Sequence, residues 1–266
     1  YSPTCFLWAR NTSDGTPVWS YDFGPISRLG HPSVAGGQVC VQSVDGSPDN
    51  FLWRFDAATG AVRGSSTIAS QWSDFWAPTI VGNSIFINGG YYGGLYGFST
   101  SGAQLFFNDQ VEQYDEWCPA YGSGVVYTHV AGNLRAHNQT TGAIQWTVPV
   151  AWNWPGWSMR ASPVVGNGGW IYFIAPPTLY AVNPTTRAVV WRAQDNHHTG
   201  TPAVANGMVY ATARGTLQAR NATTGALLWT FNGDNALSNP PVVGNGGFIF
   251  VSSANNTYAL DPQTGA

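Results

Sequence analysis

The feature that most limits how this chain can fold is that it repeats itself. Set against itself, the sequence yields three close copies of one phrase: TLQARNATTGALLW from Thr216 to Trp229, TLYAVNPTTRAVVW from Thr178 to Trp191, and NLRAHNQTTGAIQW from Asn133 to Trp146. Weaker copies start at Phe6, Phe51 and Leu95, and a shortened one at Thr257. Each alternates apolar and polar residues, breaks at a turn that usually ends in glycine, and resumes with a short apolar run that usually carries tryptophan. That is the pattern of a β-hairpin whose turn needs a positive φ.

A second hairpin precedes most copies. Its first strand opens with a proline and its turn is rich in Gly and Asn, as in PTIVGNSIFI from Pro78, PAVANGMVYA from Pro202 and PVVGNGGFIFV from Pro241. Proline is tolerated there because the ladder has not yet begun. Four antiparallel strands, A to D, in a period of about 40 residues predict an all-β protein, a β-propeller of four-stranded blades. Helical periodicity is absent. From Trp8 to Tyr258 the chain advances 250 residues, six periods of about 42. Six blades in a single domain over 1–266 are therefore expected, with seven as the alternative. Strands A, B and D occur six times and strand C seven times. The expected closure pairs the N-terminal strand near Val18 to Asp22 with the C-terminal strands of residues 241–261, removing the open sheet edges. One C strand is then left over: the segment Cys5 to Arg10 lies outside the ring, competes with Thr257 to Asp261 for one slot, or leaves a spare strand to pair with another molecule.

The phrase Ala-x-Asp/Asn-x-x-Thr-Gly-x-x-x-Trp resembles the tryptophan-docking motif of propellers of the pyrroloquinoline-quinone-like (PQQ-like) repeat family. Ala219, Asn221, Thr224, Gly225 and Trp229 carry it in one copy; Ala181, Asn183, Thr186 and Trp191 carry it in another, where Arg187 replaces the glycine. The resemblance implies that Trp19, Trp146, Trp191 and Trp229, with Phe106 in a weaker copy, pack between neighbouring blades. It implies little about activity, since the family ranges from quinone-dependent dehydrogenases to assembly scaffolds. The dehydrogenases carry a vicinal cysteine pair over their cofactor, whereas Cys5, Cys40 and Cys118 are far apart here. A PQQ-dependent enzyme is thus the alternative reading, and no cofactor is expected.

Composition excludes other classes. Only 9% of residues are charged, the net charge is −3, and all ten basic residues are arginines scattered along the chain. No basic stripe exists for nucleic acid. No apolar run approaches the roughly 20 residues of a membrane-spanning helix. The chain begins at Tyr1 rather than methionine, which fits a processed N-terminus and a secreted, extracellular protein. In that setting Cys5, Cys40 and Cys118 are disulfide candidates, an odd count leaving one over; three buried thiols are the alternative. Four glycosylation sequons start at Asn11, Asn138, Asn221 and Asn255. The first three lie on the C-to-D turn, whose own Asn-x-Thr chemistry explains them equally well.

Within the repeats the turns are short and alike, so individuality gathers in the D-to-A connections. These hold Trp72, Asp74 and Trp76; Asp115, Glu116 and Trp117; Trp154, Trp157 and Arg160; and His197 and His198. Tryptophan beside Asp, Asn and Arg is what a sugar site needs, ring faces for the C–H side and planar polar groups for the hydroxyls. Packing of these tryptophans over the channel is the structural alternative. Adjacent histidines on a strand point to opposite faces, so no metal site is expected from them. The sequence thus predicts a non-enzymatic binding or scaffold module, its partner a carbohydrate, a protein or another copy of itself.

Overall fold

The computed structural model describes residues 4–44, 50–70, 77–154, 156–166, 168–194, 197–244 and 246–266. Among them every regular element is a β-strand and every strand pairing is antiparallel. The chain divides into two compact units, one of Tyr1–Pro119 with Gln139–Ala143 and one of Ala120–Asn138 with Ile144–Ala266.

In the first unit β1 (Thr4–Arg10) pairs with β2 (Pro17–Pro25). Next come β3 (Arg28–Leu29), β4 (Ser33–Ala35), β5 (Gln38–Val44), β6 (Asn50–Asp56) and β7 (Val62–Ile68). Both short strands, β3 and β4, lie on the same edge of β5. Arg28 and Leu29 thus form a short strand of their own on that edge. A four-stranded sheet follows: β8 (Thr79–Val81), β9 (Ser84–Asn88), β10 (Leu95–Ser99) and β11 (Gln104–Asn108).

The second unit begins with β12 (Ala120–Gly122), β13 (Val125–Val130), β14 (Asn133–Asn138) and β15 (Ile144–Pro149). Then come β16 (Val164–Val165), β17 (Ile171–Ala175), β18 (Thr178–Asn183) and β19 (Ala188–Ala193), and after them β20 (His198–Ala205), β21 (Met208–Ala213), β22 (Thr216–Asn221) and β23 (Leu227–Phe231). Each set is a four-stranded sheet in sequence order. The last sheet has three strands, β24 (Val242–Val243), β25 (Ile249–Ser252) and β26 (Thr257–Leu260). The prolines stand just before their strands, except that Pro202 lies inside β20 where the register shifts between Thr199 and Ala203.

The copy that starts at Phe6 folds as the hairpin its sequence implied. β2 takes β1 as its partner, and the sheet ending in β26 keeps three strands. The physical reason is proximity: Asn11 to Thr16 close a tight turn, with Asn11 N donating to Thr16 O at 2.9 Å and Asp14 accepting from Thr16 N at 2.9 Å, so the hairpin forms without a long-range closure.

The repeated turn explains the repeated phrase. The first residue's side-chain oxygen caps it: Asn221 Oδ1 accepts from Thr223 N and Thr224 N, both at 2.9 Å, and Asp56 and Asp261 do the same in their sheets. The glycine N–H closes the loop, Gly225 donating to Asn221 O at 2.8 Å. The D-strand aromatic of the preceding sheet then lies on that glycine. A Cβ at Gly225 would fall 2.7 Å from the Trp191 ring, one at Gly265 2.7 Å from Trp229, and one at Gly60 2.6 Å from Trp19. Phe106 covers Gly142 in the same way.

Each indole also donates to the turn, Trp191 Nε1 to Ala222 O at 2.8 Å and Trp229 Nε1 to Pro262 O at 3.2 Å. Tyr172 and Tyr210 donate their hydroxyls to those same two carbonyls, using the second lone pair. Within each sheet the large ring faces a small residue across the C–D ladder: Ala9 with Trp19, Gly97 with Phe106, Ala136 with Trp146, Ala181 with Trp191 and Ala219 with Trp229.

One sheet reverses this pair. Where the others have alanine or glycine it has Arg54, and where they have tryptophan or phenylalanine it has Gly64. The buried Arg54 guanidinium donates to Ser66 Oγ at 2.8 Å and lies over Gly102, the turn glycine of the next sheet, while Ser66 donates to Gly102 O at 2.8 Å.

No disulfide is seen among the described residues. Cys40 faces inward in mid-strand among Leu52, Ile68 and Ile85, where burial pushes its pKa up to about 12. Cys5 Sγ donates to Ile26 O, and Cys118 is half-buried beside Pro119. Of the sequon asparagines, Asn11 and Asn255 are exposed, whereas Asn138 and Asn221 are half-buried.

Two outcomes are expected from this packing. Gly225→Ala combines a left-handed φ of +74° with overlap on the Trp191 ring and should cost about 2–4 kcal/mol. Arg187→Gly should instead stabilise by about 1 kcal/mol, since Arg187 already holds φ +56°. Denaturant midpoints of the two variants check both signs.

A second expectation comes from His129, fully buried on β13, its ring 4.4 Å from Phe173. Burial, aided by the Arg135 charge, lowers its pKa to about 3 from an ordinary 6.5. The unfolded chain takes up that proton as pH falls below about 6.5 while the folded chain does not, so stability drops progressively between about 6.5 and 3. His129→Leu should flatten that part of the profile of unfolding midpoint against pH.

Candidate functional site

The most distinctive connections in the first unit meet at one small cavity. The β9–β10 connection reads Gly89-Gly90-Tyr91-Tyr92-Gly93-Gly94, a tight loop with a pair of glycines at each base and two exposed tyrosines at its tip. The glycines are needed because space is lacking: a Cβ on Gly93 would strike the backbone at Gln113, and one on Gly94 the Phe107 ring. Gly90 N donates to Ala69 O at 2.7 Å, tying the loop to the end of β7. Against it lies the β11–β12 connection with Gln113, Tyr114, Asp115 and Trp117. Together with Ser70, Asn88 and the four glycines these residues line a cavity of about 10 Å³.

The groups around it are unequal. Trp117, foreseen as an exposed binding ring, is 1% exposed and donates Nε1 to Tyr114 O at 2.8 Å. It packs as core because its connection folds back against the glycine loop. Asp115 is held at a pKa of about 6, raised first by burial and then by the neighbouring Glu116, with Arg28 opposing. Glu116 adopts φ +56°. Asn88, at the end of β9, is 3% exposed and its Oδ1 has no hydrogen-bond donor. Next to it Asn50 Nδ2 donates to the Ser70 hydroxyl.

The second unit carries a different surface. Trp154 and Trp157, on the connection from β15 to β16, are 61% and 60% exposed, their rings 6.0 Å apart and almost perpendicular at 85°. Buried Met159 and Ala161 anchor the same loop, and Trp152 packs over Gly132. Arg160 is at φ +49°. His197, at φ +47° just before the strand, is exposed, and His198 is buried. His198 N donates to Pro177 O at 2.9 Å, and the residue belongs to β20 rather than to a loop. Trp72, Asp74 and Trp76 lie outside the described residues.

Asp115 and Trp117 line the cavity in the first unit, with Glu116 next to Asp115 in the chain; Trp154, Trp157 and Arg160 share a loop in the second. Asn88, Ser70 and the double-glycine loop were missed in the sequence, although the run Asn-Gly-Gly-Tyr-Tyr-Gly-Gly, unlike every other B-to-C turn, was a visible signal. Among the described residues no group of three His, Cys, Asp or Glu side chains is placed to hold a metal, and no helix is long and apolar enough to cross a membrane.

Repeated four-stranded antiparallel sheets, with turns at Gly60, Gly142, Gly225 and Gly265 that receive the preceding sheet's aromatic, define a β-propeller of PQQ-like repeats. The profile of the family described as outer membrane protein assembly factor BamB matches residues 6–106 and 130–266, and the chain belongs to that family. Among solved structures, BamB from Moraxella catarrhalis is similar at a TM-score of 0.73 with 21% identity, covering 94% of this chain and 78% of that one. The computationally designed Ika8 protein is similar at 0.72 with 15% identity, covering 92% and 74%. At these identities the likeness is one of fold. No curated protein sequence matches the chain.

Proposed function

We propose that this chain is a non-enzymatic, extracellular scaffold that works by holding a protein partner against its loops, with Trp154 and Trp157 as the central contact. The observation that carries this is the exposure of those two rings. A pair of indoles set at right angles and open to solvent forms a corner that one apolar side chain of a partner fills. Trp117 on another connection and Trp152 on the same one are turned into the fold instead. Membership of a family described by assembly supports a partner-holding role over catalysis. Carbohydrate is the other ligand that a tryptophan corner accommodates. Crosslinking and pull-down of wild type against Trp154→Ala/Trp157→Ala, with a glycan array in parallel, should show a partner lost in the variant by at least tenfold, equivalent to about 1.4 kcal/mol. Loss of glycan binding alone would favour the sugar, and equal capture by both proteins would refute the corner as the contact.

One observation also favours self-association. Among the described residues the β24–β26 sheet has three strands. Its Ala259 is exposed where Ala136, Ala181 and Ala219 are buried, and Phe250 is 40% exposed where its counterparts Tyr172 and Tyr210 are buried. An unpaired strand edge beside an apolar face is a template for a strand from a second copy. Sedimentation should show concentration-dependent dimers that Ala259→Lys abolishes. A monomer at every concentration sinks this reading.

A further inference from the structure

We propose that the groove beside Trp146 docks a short, extended, proline-containing segment of a partner protein, held by a backbone carbonyl that accepts from both the Trp146 indole and the Tyr127 hydroxyl. The site shares no residue with the Trp154–Trp157 corner. It originates in one substitution within the repeat. At Gly60, Gly142, Gly225 and Gly265 the ring of the preceding sheet lies so close that an added Cβ would be no more than 2.7 Å from it. Arg187, at the same place in its turn and at φ +56°, has that Cβ. The Trp146 ring therefore cannot settle on this turn as Trp191 settles on Gly225. A groove of about 290 Å³ stays open instead, lined by Val125, Tyr127 and Trp146 from one sheet and by Val165, Pro184 and Thr185 from the next.

The sister sheets show what the groove lacks. Trp191 and Tyr172 both donate to Ala222 O, and Trp229 and Tyr210 both donate to Pro262 O. Tyr127 and Trp146 stand at the same ladder positions, on either side of Ala136. Their rings are 5.8 Å apart and tilted by 49°, against 5.8 Å and 46° for Tyr210 and Trp229, so the donor pair is built alike. The matching carbonyl would be that of Pro184. Among the described residues neither donor has an acceptor, and neither is sealed from solvent. Two positively polarised hydrogens on an aromatic wall are complementary in charge to one carbonyl oxygen, and Pro262 already supplies that oxygen to the pair one sheet further on. A proline-containing segment reproduces it from outside. Polyproline backbone has no internal hydrogen bonds, so its carbonyls are open to donors; its rings pack on Trp and Tyr faces, and it loses little entropy on ordering. A space of about ten waters admits a residue or two of such a chain and excludes a folded element.

The test titrates the full chain into a fluorescein-labelled proline heptapeptide, read by polarisation, and follows the Trp146 indole N–H by ¹⁵N NMR, its signal identified by its loss in Trp146→Phe. Saturable binding with a downfield shift of that N–H is expected. Tyr127→Phe, which removes the hydroxyl and keeps the ring, and Trp146→Phe should each weaken binding about tenfold. Arg187→Gly should let the turn dock on Trp146, raising the unfolding midpoint while weakening binding about tenfold or more. Arg187→Ala keeps the Cβ, and with it the groove, and should bind as wild type does. A heptapeptide of alanine should bind about tenfold more weakly than that of proline. Near-ultraviolet circular dichroism verifies that each variant is folded; should Trp146→Phe not fold, Tyr127→Phe and Arg187→Gly decide. Failure of the wild type to bind the proline peptide, or undiminished binding by Tyr127→Phe and Arg187→Gly, overturns the site. Equal affinity for the alanine peptide overturns proline as what it selects.

Discussion

The structure depends on a contact between an aromatic ring at the end of one sheet and a glycine turn in the next. It satisfies three demands at once. The ring buries apolar surface that an isolated four-stranded sheet leaves bare, the indole N–H finds a carbonyl, and that carbonyl belongs to a turn already fixed by its Asn or Asp cap. Because the ring is large, its cross-strand neighbour must be small, which is why alanine or glycine recurs opposite it. Register, turn and sheet spacing are thereby coupled: a slip of one residue on any D strand would turn the ring to the opposite face.

Against that regular frame the two departures of chemical interest are both places where a polar group is held away from water. His129 stays neutral because the core gives its charged form no solvation. Asp115 is forced toward protonation by the same effect, although it sits on a connection rather than in a core. A carboxyl on a loop usually relaxes into solvent. This one is confined because the glycine loop opposite leaves it little room.

How much of this the sequence contained varies with the range of the cause. The hairpins, their turns and the docking aromatics were legible, since Trp191, Gly225 and Asn221 express local rules repeated at a fixed spacing. The exchange of Arg54 and Gly64 was not, because it is visible only when the two strands are in register. Trp117 and Trp154 look alike in sequence, each within a polar aromatic connection, yet one is core and the other open to solvent; the difference lies in what packs opposite them. The β1–β2 hairpin was legible as the copy that starts at Phe6, since the Asn11–Thr16 turn needs only six residues to bring the two strands together. Asn88 was overlooked since a single asparagine at a strand end is ordinary until its surroundings are known.

The reversal at Arg54 and Gly64 makes the repeats less interchangeable than their shared phrase implies. A copy of the Ala219/Trp229 type moved into that position would bring a ring that meets the Arg54 function nowhere, and a single exchange at either site gives two large groups or two small ones. Sequence drift between the two solutions must therefore cross an overfilled or a hollow intermediate. That barrier gives this sheet a fixed address in the array: duplication or shuffling of repeats can extend the chain on either side of it, but the junction with Gly102 accepts only the neighbour it already has.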